Sequence, residues 1–170
     1  MNYHDIKWND TLNGPGFRTT LFVAGCNHHC NGCHNPETWD PNGGKVLTVD
    51  NKHDIIGSLY SDSIDGITFT GGDPLYESNR QEITDMCKFI RNEFPKKTIW
   101  VYTGYDYESI CNLEIMKYID TLVDGKFEKN KYDNKLIFRG SSNQRIIDVK
   151  RSIKENKVIT YSDDNLFFHN

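Results

Sequence analysis

A chain of 170 residues has material for one domain with a real core and not for two independent ones. Hydrophobic residues at 36% and charged residues at 26% exclude a disordered chain, and no apolar run approaches the length of a membrane span. The net charge of −4, with Lys and Arg scattered, excludes the basic stripe that a nucleic-acid backbone demands.

The start, Met1 to Trp8, lacks the basic and apolar stretches of a secretory signal, so a cytoplasmic protein is expected. Of five cysteines, three fall within eight residues while Cys87 and Cys111 stand alone. An odd, clustered set points to a reduced compartment and one thiolate metal site rather than a disulfide framework.

In chain order, residues 18–24 read as a strand that runs directly into the cysteine loop. Residues 48–60 read as a helix, and 66–70 as a strand closed by Gly71-Gly72-Asp73-Pro74. The clearest helix covers 78–94, with Ile83, Met86, Cys87, Ile90 and Phe94 at steps of three and four, and Pro95 ends it. A strand at 98–102 leads into Thr103-Gly104-Tyr105. A helix over about 106–119 is followed by a strand at 121–123 and the turn Asp124-Gly125-Lys126. Residues 145–149 and 158–161 read as late strands. Strands alternating with helices predict a parallel sheet, whose ligands gather beyond the carboxyl ends of its strands. All four unusual loops lie at those ends, and no lid segment is evident.

The loop Cys26-Asn27-His28-His29-Cys30-Asn31-Gly32-Cys33 has the spacing C-x3-C-x2-C. Thiolates suit iron–sulfur clusters and zinc about equally. Structural zinc needs a closed set of four ligands, which here requires His28, His29, His34 or a distant cysteine. A [4Fe–4S] cluster on Cys26, Cys30 and Cys33 leaves one iron open to a further ligand. His28 and His29 are expected to be exposed at the loop tip, and Cys87 and Cys111 to pack in the core. Phe17 and Trp39 flank the loop as packing or partner-binding groups. Arg145 either meets a bound carboxylate or braces a strand end.

C-x3-C-x2-C followed by Gly-Gly-acidic after the next strand resembles the signature of the radical S-adenosylmethionine (SAM) superfamily. The resemblance implies that the cluster chelates SAM and reduces it to a 5′-deoxyadenosyl radical, with no side chain acting as acid or base. It implies that Gly71, Gly72, Asp73 and Pro74 hold the SAM amino group. Asp124 and Lys126 resemble the Asp-x-Lys pair of glycyl-radical-enzyme activases, near the SAM carboxylate. Gly32 stands where the superfamily commonly has an aromatic residue, with His34 as the alternative ring for the adenine.

Asn13-Gly14-Pro15-Gly16-Phe17-Arg18, Gly32-Cys33-His34-Asn35-Pro36-Glu37-Thr38-Trp39 and Arg139-Gly140-Ser141-Ser142-Asn143-Gln144-Arg145 narrow the resemblance. They are similar to the activases of anaerobic (class III) ribonucleoside-triphosphate reductases, over roughly residues 1–149. The implied fold is α/β, a single radical SAM domain over 1–170 forming an incomplete (β/α) barrel with a curled, mostly parallel sheet. The implied partners are the reductase large subunit, whose glycine loses a hydrogen atom, and a low-potential electron donor. Three alternatives stay open: activation of another glycyl-radical enzyme such as pyruvate formate-lyase, 7-carboxy-7-deazaguanine synthase-like chemistry, and a zinc-stabilised interaction module.

Overall fold

The computed structural model describes residues 1–163 and Leu166. Its strands are β1 (Asn2–Asp10), β2 (Arg18–Val23), β3 (Lys45–Val46), β4 (Gly66–Gly71), β5 (Thr98–Tyr102), β6 (Thr121–Asp124) and β7 (Arg145–Asp148). Its helices are α1 (Val49–Ser58), α2 (Glu77–Glu93), α3 (Tyr107–Ile110) and α4 (Val149–Glu155). Among the described residues the strands form one open, mixed sheet in the order β3-β1-β2-β4-β5-β6-β7. The architecture is α/β.

The expected parallel arrangement holds at the centre, where β2, β4, β5 and β6 run parallel. It fails on both flanks, where β1 pairs antiparallel with β2 and β3, and β7 antiparallel with β6. The flanking strands are joined to their neighbours without a crossover helix, which antiparallel pairing permits and parallel pairing does not.

Alternation along the central strands separates two faces. Leu21, Val23, Ile67, Phe69, Ile99, Val101 and Leu122 join the main core with Ile83, Cys87 and Ile90 of α2. Trp100, Val123 and Ile146 face the other way, packed with Leu166 and the partly buried Tyr102 and Phe138. Helix α1 starts at a capping box in which Thr48 and Asn51 satisfy each other's backbone N–H.

The expected helix over about 106–119 is broken. Only Tyr107–Ile110 is α-helical, and a 3-10 turn covers Glu114–Lys117. Leu113, between them, takes extended dihedrals (φ −68°, ψ 144°) that no helix accommodates. The expected strand at 158–161 is reduced to one bridge, between Ile147 and Thr160.

On the second face, the base of the sheet is filled by Arg18. Its guanidinium donates to Thr68 Oγ1 (2.7 Å), Thr98 Oγ1 (2.8 Å), Ile67 O (2.7 Å), Thr98 O (3.0 Å) and Pro15 O (3.3 Å), and it lies over the Trp100 ring. Burial lowers its pKa to about 10, so it remains a cation at neutral pH. The Asn13–Arg18 segment thus supplies the floor of this face.

Candidate functional site

An open cleft of about 450 Å³ lies beyond the carboxyl ends of β2, β4, β5 and β6. All four unusual loops reach its wall: Cys26, Cys30 and Cys33 after β2, Gly71, Gly72 and Asp73 after β4, Thr103 and Gly104 after β5, and Gly125 after β6.

The cysteine loop is pinned at both ends. Gly25 and Cys26 donate their N–H groups to Thr38 O (2.7 Å) and Trp39 O (3.0 Å), tying its entry to its exit. Between them, left-handed backbone at His29 (φ 47°) and Gly32 (φ 76°) turns the chain so that all three thiols line one wall. Each cysteine is free and partly exposed. Burial raises the Cys26 thiol to about 11 and also raises Cys30. Both therefore favour the neutral thiol until a metal displaces the proton. Among the described residues no three His, Cys, Asp or Glu groups converge on a single ion. A cubane does not need that convergence, since each thiolate binds a different iron. Three partly exposed thiols on one cleft wall fit a [4Fe–4S] cluster.

The β4 loop meets the cysteine loop backbone to backbone. Gly72 donates to Val23 O (2.8 Å) and Asp73 to Gly25 O (2.8 Å). A Cβ on Gly72 would lie 2.6 Å from Gly25 O, so only glycine allows this approach. Asp73 is 1% exposed, and its carboxylate accepts from Leu75 N (2.8 Å), Thr103 Oγ1 (2.9 and 3.0 Å), Gly104 N (3.0 Å) and His28 Nε2 (2.7 Å). Pro74 is buried behind it.

His28 does not project from the loop tip. Its side chain is 7% exposed, held by Asp73 and edge-on to Tyr105. It occupies the space over Gly104, where any Cβ would collide with its ring. His29 is exposed, as expected, and packs on Trp39. His34 is exposed in the cleft wall with Phe127 and Tyr132, at ring distances of 5.2 and 6.1 Å. Gly32 faces the side chains of Lys129 and Phe127.

The Asp-Gly-Lys turn divides. Asp124 is 1% exposed and accepts from Tyr107 N (2.8 Å) and Arg145 Nε (3.0 Å). Arg145 also grips Glu108 and so braces the strand end. Lys126 is exposed and lines a second hollow of about 300 Å³ with Asn27, His28 and Tyr105.

Two features escaped the sequence. The connection from β6 to β7 supplies Phe127, Tyr132, Leu136, Phe138, Arg139 and Gln144 to the cleft wall. Its Lys- and Asn-rich composition reads as solvated loop. The Asp73–His28 pair spans 45 residues and carries no local pattern. Cys87 is fully buried on α2, and Cys111 is only partly buried.

Residues 12–147 match the family described as "4Fe-4S single cluster domain". The anaerobic ribonucleoside-triphosphate reductase-activating protein of Enterobacteria phage T4 is 47% identical over 146 residues, 86% of this chain and 93% of its own. The proteins of the same name from Escherichia coli K12 and Vibrio cholerae are 45% and 40% identical, covering 96% and 97% of their own lengths. The chain belongs to the family of anaerobic ribonucleoside-triphosphate reductase-activating proteins. The matched family description supports an iron–sulfur cluster, and Cys26, Cys30 and Cys33 line the cleft. No helix among the described residues is long and apolar enough to cross a membrane.

Proposed function

We propose that this chain is a cytoplasmic radical SAM activase that generates the glycyl radical of an anaerobic ribonucleoside-triphosphate reductase. The observation that carries it is the meeting of Cys26, Cys30 and Cys33 with Gly71–Asp73 on one cleft wall. The relatives' names favour this reading over pyruvate formate-lyase activation, 7-carboxy-7-deazaguanine synthesis and a zinc module. A protein target rests on those names.

Cys26, Cys30 and Cys33 hold the cluster. When bound, cluster and SAM supply a one-electron cleavage whose outcome is removal of a hydrogen atom from a glycine of the reductase large subunit. A separate low-potential donor delivers the electron. The chain's own residues bind, orient and exclude water. We assign the SAM amino group to the Gly71–Gly72 backbone, because the four donors on Asp73 already fill a carboxylate's acceptor sites. Pro74 and Asp73 then fix that backbone from behind. We assign the SAM carboxylate to Lys126, whose charge already acts on Cys30. Asp124 supports this turn through Arg145 and Tyr107, and Gly32 and His34 flank the adenine. The open sheet serves as an incomplete barrel in a single domain over 1–170.

The test is anaerobic reconstitution followed by mixing with the reductase, reductant and SAM. Electron paramagnetic resonance should show a glycyl doublet, and Cys30→Ala should abolish both cluster and doublet. A colourless protein holding one zinc, or a reductase that never acquires the radical, would sink the proposal.

A further inference from the structure

Asp73 ties together three of the four loops that form the cleft. Leu75 belongs to its own loop, Thr103 and Gly104 to the loop after β5, and His28 to the cysteine loop. Of these partners only His28 reaches across from the cluster ligands. It stands two residues after Cys26 and two before Cys30. Asp73 Oδ2 already accepts from Thr103 Oγ1 and Gly104 N, and His28 Nε2 lies 2.7 Å from the same oxygen as its third donor. Tyr105 packs against the ring, and Gly104 leaves the room it needs.

We infer that His28 is a positioning residue that aligns the cluster loop with the Gly71–Asp73 backbone. SAM then meets iron and backbone in one fixed geometry. The inference rests on the SAM chemistry proposed above. The backbone contacts between the loops, Gly72 to Val23 and Asp73 to Gly25, lie at the root of the cysteine loop. Among the described residues, His28 makes the one hydrogen bond from the loop's middle, between Cys26 and Cys30, to the β4 loop. A ligand spanning cluster and Gly71–Gly72 senses any sliding of that middle portion, whereas assembly of the cluster on three cysteines does not. The division of labour is the one seen where a hydrogen-bonded partner orients a metal ligand and its loss costs about 10- to 100-fold.

The experiment uses reconstituted full-length protein. His28→Leu keeps the ring's approximate bulk and removes the donor, while His28→Gln retains a donor. Thr103→Val removes another donor from Asp73 without touching the cysteine loop. Iron and sulfide content, thermal midpoint, SAM affinity by equilibrium dialysis and the SAM-dependent change in the reduced cluster's electron paramagnetic resonance spectrum are measured for each. His28→Leu should keep its cluster and bind SAM about 10- to 100-fold more weakly, with the spectral change absent at SAM levels that saturate the wild type. His28→Gln should restore most of both, and Thr103→Val should lose less than His28→Leu.

Wild-type SAM affinity in a folded His28→Leu protein would overturn the inference. So would loss of the cluster itself, no recovery in His28→Gln, or an equal loss in Thr103→Val. A wild-type protein that carries its cluster yet ignores SAM would instead overturn the function proposed above.

Discussion

On the helix-covered face, the central strands present Leu21, Val23, Ile67, Phe69, Ile99, Val101 and Leu122 to α2 and its neighbours, all fully buried. On the opposite face the same strands present Arg18, Thr20, Thr68, Thr70, Trp100 and Tyr102, with the cleft above them. Burial is almost as deep on the second face, but around Arg18 hydrogen bonds and one caged cation stand beside a smaller cluster of Trp100, Val123, Ile146 and Leu166. One face packs the sheet against its helices, and the other sets polar groups beneath the cleft.

The largest break in that comparison comes from Phe69→Ala on β4. Removing a fully buried ring should cost about 3–5 kcal/mol in urea unfolding, while the next residue's variant, Thr70→Ala, should stay within about 1 kcal/mol. Equal losses would mean that the faces share the load. Arg18→Lys comes next. A single ammonium cannot serve acceptors on Pro15, Ile67, Thr68 and Thr98 at once, so a loss of about 1.5–3 kcal/mol is expected by the same measurement. An unchanged midpoint would show that the floor tolerates any cation.

Tyr102→Phe sharpens the contrast in the other direction. Among the described residues the buried Tyr102 hydroxyl has no hydrogen-bond partner, so its removal should leave stability unchanged or raise it by about 1 kcal/mol. A clear loss would reveal a partner for that hydroxyl. The smallest effect belongs to Glu108, at the edge of the sheet. Its hydrogen bond from Arg145 lowers its pKa from 4.5 to about 2. Its contribution is therefore complete above pH 4.5 and fades as the pH falls through about 2. Thermal midpoints of wild type and Glu108→Gln should differ slightly at pH 6 and converge on acidification, and a gap that widens would refute the assignment.

What was legible in the sequence follows the same division. The central strands carry runs such as Ile99-Trp100-Val101, buried on both sides and rich in branched and aromatic residues. Strand β1 escaped because Asn2-Tyr3-His4-Asp5-Ile6-Lys7-Trp8-Asn9-Asp10 buries only Tyr3 and Asp10, and its polar side chains mask the alternation. Helix α4 escaped behind its charges. It is held by Asp148 accepting from Arg151 N, and buries only Val149 and Ser152. The helix over about 106–119 was overextended because apolar spacing continues through the extended Leu113. In the cleft, the cysteines and glycines could be read because their spacing is local. Bracing of a strand end by Arg145 was one of two readings the sequence offered, but the partners of Asp73, His28 and Arg145 could not be read, because they lie 21 to 45 residues away.

Gly104 and His28 occupy one shared volume, and that has a consequence for how this lineage can diverge. A side chain added at 104 has nowhere to go unless 28 shrinks, and a smaller residue at 28 strips a donor from the Asp73 carboxylate. Neither position is free to drift alone. Homologues should therefore keep the pair or exchange it as a unit, with a new donor for Asp73 arriving in the same step.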